Sequence, residues 1–196
     1  HMSIVEQLRS DRNLALEQGD PTATVCYLAT VGPDLKPSVR TLVLRQIDDF
    51  SLRLFINASS PKWHALTTHP QAQVLLWYPS IQVQYRIAGE AVQASREDIE
   101  NNWHRRPLRA KLLDYFYAHQ AAQSTPFRNQ SDFDEAFDHF TQSLNTDQLS
   151  PPSEAIAIDL HYTEIERLDL TQDERPHQRT RFQRVENRWQ ADILVP

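Results

Sequence analysis

The sequence predicts a mainly β fold of the α+β class: an antiparallel barrel or sandwich with helices at its periphery. Three observations carry this. Five β-rich runs occupy residues 23–31, the stretch around Arg40, and residues 52–56, 72–78 and 83–92. Their connections are too short for the crossover helices that a parallel sheet needs. Apart from one short helix near Lys62, helical periodicity is confined to the N-terminus and to residues 95–144, so almost no helix lies between the five strands.

Taken in order, residues 3–18 set Ile4, Leu8, Leu14 and Leu16 among charges, as an amphipathic helix does, and Gly19-Asp20-Pro21 ends it. Gly32-Pro33-Asp34 turns the run 23–31 into the strand around Arg40, and Asp48-Asp49 marks the turn before 52–56. Ser59 or Ser60 is the N-cap of a short helix, with Pro61 in its first turn and a stop near Pro70. Pro79-Ser80 separates the strands 72–78 and 83–92. Ser95-Arg-Glu-Asp98 fits a capping box opening a helix to about Arg105. A second helix covers 107–120, with Leu108, Leu112, Leu113 and Phe116 on its apolar stripe. Residues 124–131 are polar, and 133–144 form a third amphipathic helix. After Pro151-Pro152 come strands at 155–160, 164–170, 178–186 and 188–194. One domain is expected over 1–196, with an N-terminal helix in 1–20, a helical insertion at 96–147 and C-terminal strands from 153.

Composition excludes several functions. The net charge of -6 argues against nucleic acid as a partner, since phosphate backbones demand a basic face. No apolar run approaches the roughly 18 residues that cross a bilayer. Residues 1–20 carry no signal peptide, His1-Met2 reads as a cloning remnant, and a cytoplasmic location is expected. The single cysteine, Cys26, rules out an internal disulfide and sits mid-strand as inert packing. Three glycines leave no dinucleotide fingerprint or phosphate loop, and no His-Glu-x-x-His or Gly-x-Ser-x-Gly exists. The histidines are scattered singly, so no metal site is expected.

The candidate chemistry lies in cations and amides spread along the chain. In Arg40-Thr-Leu-Val-Leu-Arg45, alternation puts Val39, Thr41 and Val43 on one face and Arg40, Leu42 and Leu44 on the other. A strand bracketed by guanidinium groups is poor core material, because buried charge must be paired. Asn57-Ala-Ser-Ser-Pro-Lys62 brings hydroxyls, free N–H groups and an ammonium to a helix start, which suits a phosphate. A solvated strand end and an ordinary capped helix explain both stretches equally. Gln84 is either an amide reading a polar ring edge or an outward strand position. His104-Arg-Arg-Pro107 closes one helix and opens another, where basic residues also complement the helix dipole. Arg175-Pro-His-Gln-Arg179 would align three cations along an extended edge, inviting an anion or simply keeping the edge soluble.

Together these segments, with Phe182-Gln-Arg184 and Trp189, make the chain resemble the pyridoxamine 5'-phosphate oxidase family of FMN proteins from about Pro21 to the C-terminus. The resemblance implies an antiparallel six-stranded-type split β-barrel with peripheral helices, acting as a homodimer with FMN at its interface. Arg40, Ser60, Lys62 and the pair Gln123 and Ser124 would hold the FMN phosphate. Thr41, Leu42, Val43, Leu44, Phe55 and Ile56 would line the flavin, and Gln84 and Arg179 would contact its ring. Arg45, Asn102, Arg106, Arg175 and His177 fall on positions serving a phosphorylated pyridine substrate, and Arg175 and His177 would act in catalysis. Imidazole suits proton management near neutral pH. The expected activity is FMN-dependent oxidation of a small molecule such as pyridoxamine or pyridoxine 5'-phosphate, with dioxygen as acceptor. The chain departs from the family pattern at Arg45, which replaces lysine, at Asn102 for tyrosine and at Ala110 for serine. It departs again at Leu168, in place of a tryptophan that covers the flavin, and at Pro61, in place of a basic residue. Two of about four substrate-phosphate ligands are thus absent. At about 1.5–3 kcal/mol for each hydrogen bond to a charged group, that weakens such a substrate by two orders of magnitude or more. A non-catalytic carrier of a flavin or other anion, a flavin reductase on the same fold, and a purely structural protein are the alternatives.

Overall fold

The structure is a computed structural model and describes residues 2–196; His1, half of the pair read as a cloning remnant, lies outside them. The chain falls into two compact units. The first holds residues through Leu54, Ala65–Val92 and Asp159–Pro196, and the second holds Phe55–His64 and Gln93–Ile158.

Among the described residues nine strands form one sheet. They are β1 (Val25–Val31), β2 (Pro37–Val43), β3 (Gln46–Ile47), β4 (Ser51–Asn57), β5 (Gln71–Tyr78), β6 (Val83–Gln93), β7 (Ala155–Asp169), β8 (Gln178–Val185) and β9 (Arg188–Leu194). The order is β2-β1-β5-β6-β7-β4-β3, with β8 pairing β7 and β9. The ladders β1–β2, β1–β5, β3–β4, β5–β6, β7–β8 and β8–β9 are antiparallel, as short connections require. One strand replaces the two expected at 155–160 and 164–170. Leu160 and Tyr162 are buried and His161 and Thr163 exposed, so His161-Tyr162-Thr163 continues the alternation between the two expected strands.

In the first unit, α1 (Ile4–Glu17) starts at a Ser3–Glu6 capping box. It buries Ile4, Val5, Leu8, Asp11 and Ala15, whereas Leu14 and Leu16 are 42% and 40% exposed. The expected apolar face is therefore corrected. Asp11 occupies the buried stripe because its carboxylate accepts from the Tyr85 hydroxyl and from Arg167 Nε at 3.0 Å. Leu28, Leu76, Tyr85, Ile87, Leu160 and Ile165 form the core beneath. Burial pushes the Cys26 thiol up to about 12, so thiolate forms only as pH approaches that value. A thiol reagent at pH 8 is expected to leave Cys26 unmodified in the folded protein and to label it fully in denaturant. Rapid labelling of the native protein contradicts this burial.

In the second unit, α3 (Arg96–Trp103) is capped by Ser95 Oγ, which accepts from Asp98 N at 3.3 Å. It ends at Trp103, short of the expected Arg105, ahead of Pro107. Following it are α4 (Leu108–His119) and α5 (Gln130–Thr141). Phe116 on α4 meets Phe127, Phe133, Phe137 and Phe140 at ring separations of 5.6–6.4 Å. Leu108 is 49% exposed, contrary to its place on the expected stripe. It lies about two turns before Phe116, where the aromatic side chains converge. The buried positions of α4 are Phe116 and Asp114. Among the described residues no helix is long and apolar enough to cross a membrane.

Candidate functional site

The second unit contains the most developed polar site. β4 delivers Asn57 to a tight turn, and α2 (Pro61–Thr68) begins directly after Ser60. Of the two candidate N-caps, Ser60 takes the part: its Oγ accepts from Trp63 N at 3.4 Å. Ser59 serves the turn, donating from N and Oγ to Asn57 Oδ1 at 2.9 and 2.5 Å. The Ser59 hydroxyl also accepts from Gln123 N at 3.0 Å. Lys62 Nζ donates to Gln123 Oε1 at 3.2 Å. Ser60 is 2% exposed and Lys62 only 7%, an unusual depth for an ammonium group. Ser124 is exposed and left-handed at φ 71°. Serine hydroxyls, an ammonium and a helix start make a donor set whose chemistry fits a phosphate monoester.

A buried network supports that turn. Asn57 Nδ2 donates to Asp114 Oδ1 at 3.0 Å, and Arg106 Nη1 donates to Asp114 Oδ2. Asn57 and Asp114 are each 4% exposed. The Arg106 guanidinium lies 5.4 Å from the Trp103 ring centroid, beside a small cleft lined by Phe55, Ile99, Ala155 and Ile156. Its Nε is buried without a hydrogen-bond partner. Asn102 turns inward as well, donating to Asp98 O of its own helix at 2.8 Å. Both sequence-derived substrate candidates on this unit are thus engaged within it.

In the first unit β2 alternates as its sequence dictates. Arg40 and Leu42 are half-buried, and Val39, Thr41 and Val43 are exposed. Arg40 donates to Leu28 O at 3.2 Å, Thr30 Oγ1 at 2.8 Å and Ser38 Oγ at 3.0 Å. Among the described residues it meets neutral oxygens and no carboxylate, and burial lowers its pKa. A half-buried guanidinium without a counter-ion fits an anionic ligand. Leu44 instead turns into the core at 1% exposure, its N donating to Thr24 O and its carbonyl accepting from Arg12. Gln84 is half-buried opposite Trp77 in the β5–β6 ladder. Arg179 on β8 donates through Nε to Glu166, which also accepts from Arg86 Nη1 at 3.4 Å. Glu166 is 7% exposed, and its hydrogen bond raises the Arg179 pKa.

Arg45 is exposed just beyond β2, and Arg175 and His177 are exposed in the segment before β8. Only Arg179 of that basic run belongs to a strand, so the even alignment of three cations is not formed. Phe55 is half-buried and Ile56 6% exposed on β4. A groove of about 440 Å³ in the first unit is lined by Ala29, Val31, Gln73, Ala88 and Thr163 among others, and by no sequence-derived site residue. The sequence reading missed Asn57, Asp114 and Glu166. The Asn57-x-Ser59 spacing is a local turn signal, whereas Asp114 and Glu166 meet their partners only through the fold.

A family model described as pyridoxamine 5'-phosphate oxidase matches residues 15–160. The pyridoxine/pyridoxamine 5'-phosphate oxidase of Deinococcus deserti is 31% identical over 194 residues, covering 97% of this chain and 88% of its own length. The corresponding protein of Nostoc punctiforme is 27% identical over 187 residues, covering 95% and 84%. Among solved structures, PhzG from Burkholderia lata 383, in complex with tetrahydrophenazine-1-carboxylic acid, superposes with a TM-score of 0.86 at 21% identity, over 100% of this chain and 94% of its own. A pyridoxamine 5'-phosphate oxidase-related, FMN binding protein from Nostoc punctiforme PCC 73102 gives a TM-score of 0.80 at 20% identity over 100% of both chains. The two structural matches extend along the whole chain and, with the family model, show the split-barrel fold of the α+β class.

Proposed function

Because this chain belongs to the pyridoxamine 5'-phosphate oxidase family, we propose that it is an FMN-dependent oxidoreductase acting on a small molecule. FMN would accept a hydride equivalent from a C–N or C–O carbon and return it to dioxygen. The observation that carries this reading is Lys62, a lysine whose residue is only 7% exposed at the start of α2. Ser60, Lys62, Gln123 and Ser124 would hold the phosphate, and Arg40 would supply a second cation for the cofactor. Gln84 and Arg179 would meet the ring, with Thr41, Leu42, Val43, Phe55 and Ile56 lining it. Arg45, Arg175 and His177 would orient the substrate and manage its proton. Pyridoxamine or pyridoxine 5'-phosphate is the first substrate to try. We further propose that the chain acts as one FMN-binding domain within a homodimer; exposure of 67% at Val39 and 48% at Val43, on one face of β2, supports that.

Lys62→Ala is expected to raise the Kd for FMN about 10- to 100-fold, the worth of one hydrogen bond to a charged group. It should leave the Kd for riboflavin, which lacks the phosphate, nearly unchanged. Flavin fluorescence titration reads both, and equal effects on the two flavins contradict the role given to Lys62. A second reading, flavin binding without oxidation of a vitamin B6 phosphate, is favoured by the engagement of Arg106 with Asp114 and by Ala110 and Leu168. A yellow protein whose flavin stays oxidised with every B6 phosphate supports this second reading.

A further inference from the structure

We infer that Asn57, Asp114 and Arg106 are positioning residues, setting the Ser59–Lys62 turn and Gln123 in the geometry that grips a phosphate. The inference rests on the reading above, in which that turn holds the FMN phosphate. A single hydrogen-bonded chain connects the groups. Arg106 Nη1 donates to Asp114, whose other oxygen accepts from Asn57 Nδ2 at 3.0 Å. Asn57 Oδ1 accepts from the N and Oγ of Ser59 at 2.9 and 2.5 Å. Ser59 Oγ accepts from Gln123 N at 3.0 Å, and Gln123 Oε1 accepts from Lys62 Nζ at 3.2 Å.

The chain has one direction. Reversing the Asn57 amide would set its NH2 against the Ser59 N–H and its oxygen against the Asp114 carboxylate, so both contacts would become repulsive. Asp114 therefore dictates which end of Asn57 faces the turn, and Asn57 dictates where Ser59 stands. Ser59 in turn fixes the backbone of Gln123, whose side chain receives the Lys62 ammonium. Arg106 neutralises Asp114, so the carboxylate orients the turn without adding an unpaired negative charge to an anion site. This gives Arg106 a place in building the cofactor site. A binding site held by such supporting contacts loses affinity when they loosen by a fraction of an ångström.

The test measures the Kd of the full-length apoprotein for FMN and for riboflavin by quenching of flavin fluorescence. Asn57→Ala is expected to weaken FMN about tenfold or more, while riboflavin affinity stays within about twofold. Arg106→Lys, which keeps the charge and loses the planar fork, is expected to move the FMN constant in the same direction by less, and it reads the same ratio should Asn57→Ala not fold. A merely structural role would weaken both flavins together and overturns the inference. So does a wild-type preference for FMN that survives intact in the variants. A wild-type protein that binds no FMN overturns the functional reading as well.

Discussion

Replacing Asp114 with alanine is expected to lower the stability of the folded protein by about 3–5 kcal/mol, the cost of breaking a buried ion pair from one side. Asp114 is 4% exposed and carries two obligations, the Arg106 guanidinium and the Asn57 amide. Removing the carboxylate leaves the Arg106 side chain, 18% exposed, without its counter-ion. Its Nε already lacks a hydrogen-bond partner, so the variant adds to a polar group that is buried and unsatisfied. The Asn57 amide loses its acceptor in the same step, which adds a buried unsatisfied donor. Chemical denaturation should show the midpoint fall, and the melting temperature should drop by on the order of 10 °C. Asp114→Asn keeps the shape and one acceptor, and should lose less. A loss below about 1 kcal/mol for Asp114→Ala would place Asp114 among surface ion pairs and contradict the buried network.

Gly89→Val should be comparably damaging, by a steric route. A Cβ added at Gly89 on β6 would sit 2.4 Å from the His161 carbonyl oxygen and 2.8 Å from the Leu160 side chain on β7. The nearest obstacle is backbone, so no rotamer change relieves it; the two strands must separate. Ala72 pairs with Gly89 across β5, so a shift of β6 disturbs that ladder as well. Valine adds two further methyl groups in a core packed to crystal density. A loss of about 3–5 kcal/mol is expected, at the upper end for overpacking, and Gly89→Ala, which already introduces the colliding Cβ, should show the larger part of it. Denaturant midpoints measure both. An unchanged midpoint for the valine variant would mean that β6 and β7 do not approach as described.

Much of the fold was legible because alternation is a local property. β1, β5 and β6 show period-two burial, and β2, β4, β8 and β9 are β-rich or extended runs set off by turn residues. The errors have physical causes. On α1 the buried stripe runs through Asp11 because Tyr85 and Arg167 satisfy it, and no pattern of apolar residues reveals a partnered carboxylate. On α4 the stripe was drawn through Leu108 although the aromatic partners gather at Phe116. β7 was divided at His161-Tyr162-Thr163, where alternation in fact continues. In the site, Lys62 and Ser60 were legible from a helix-start signal. Asp114 was not, since its partner Asn57 lies 57 residues away. Arg106 was legible as a functional cation, but its engagement with Asp114 belongs to the folded chain alone.

The most direct measurement is anaerobic. The purified protein is loaded with FMN and its visible absorbance is followed on addition of pyridoxamine 5'-phosphate, pyridoxine 5'-phosphate and a panel of unphosphorylated amines and alcohols, with dioxygen admitted afterwards. An FMN-dependent oxidoreductase should bleach with at least one of them and regain its colour, with peroxide formed, when air returns. A protein that takes up no FMN, or whose bound flavin no substrate and no reductant can bleach, contradicts the account.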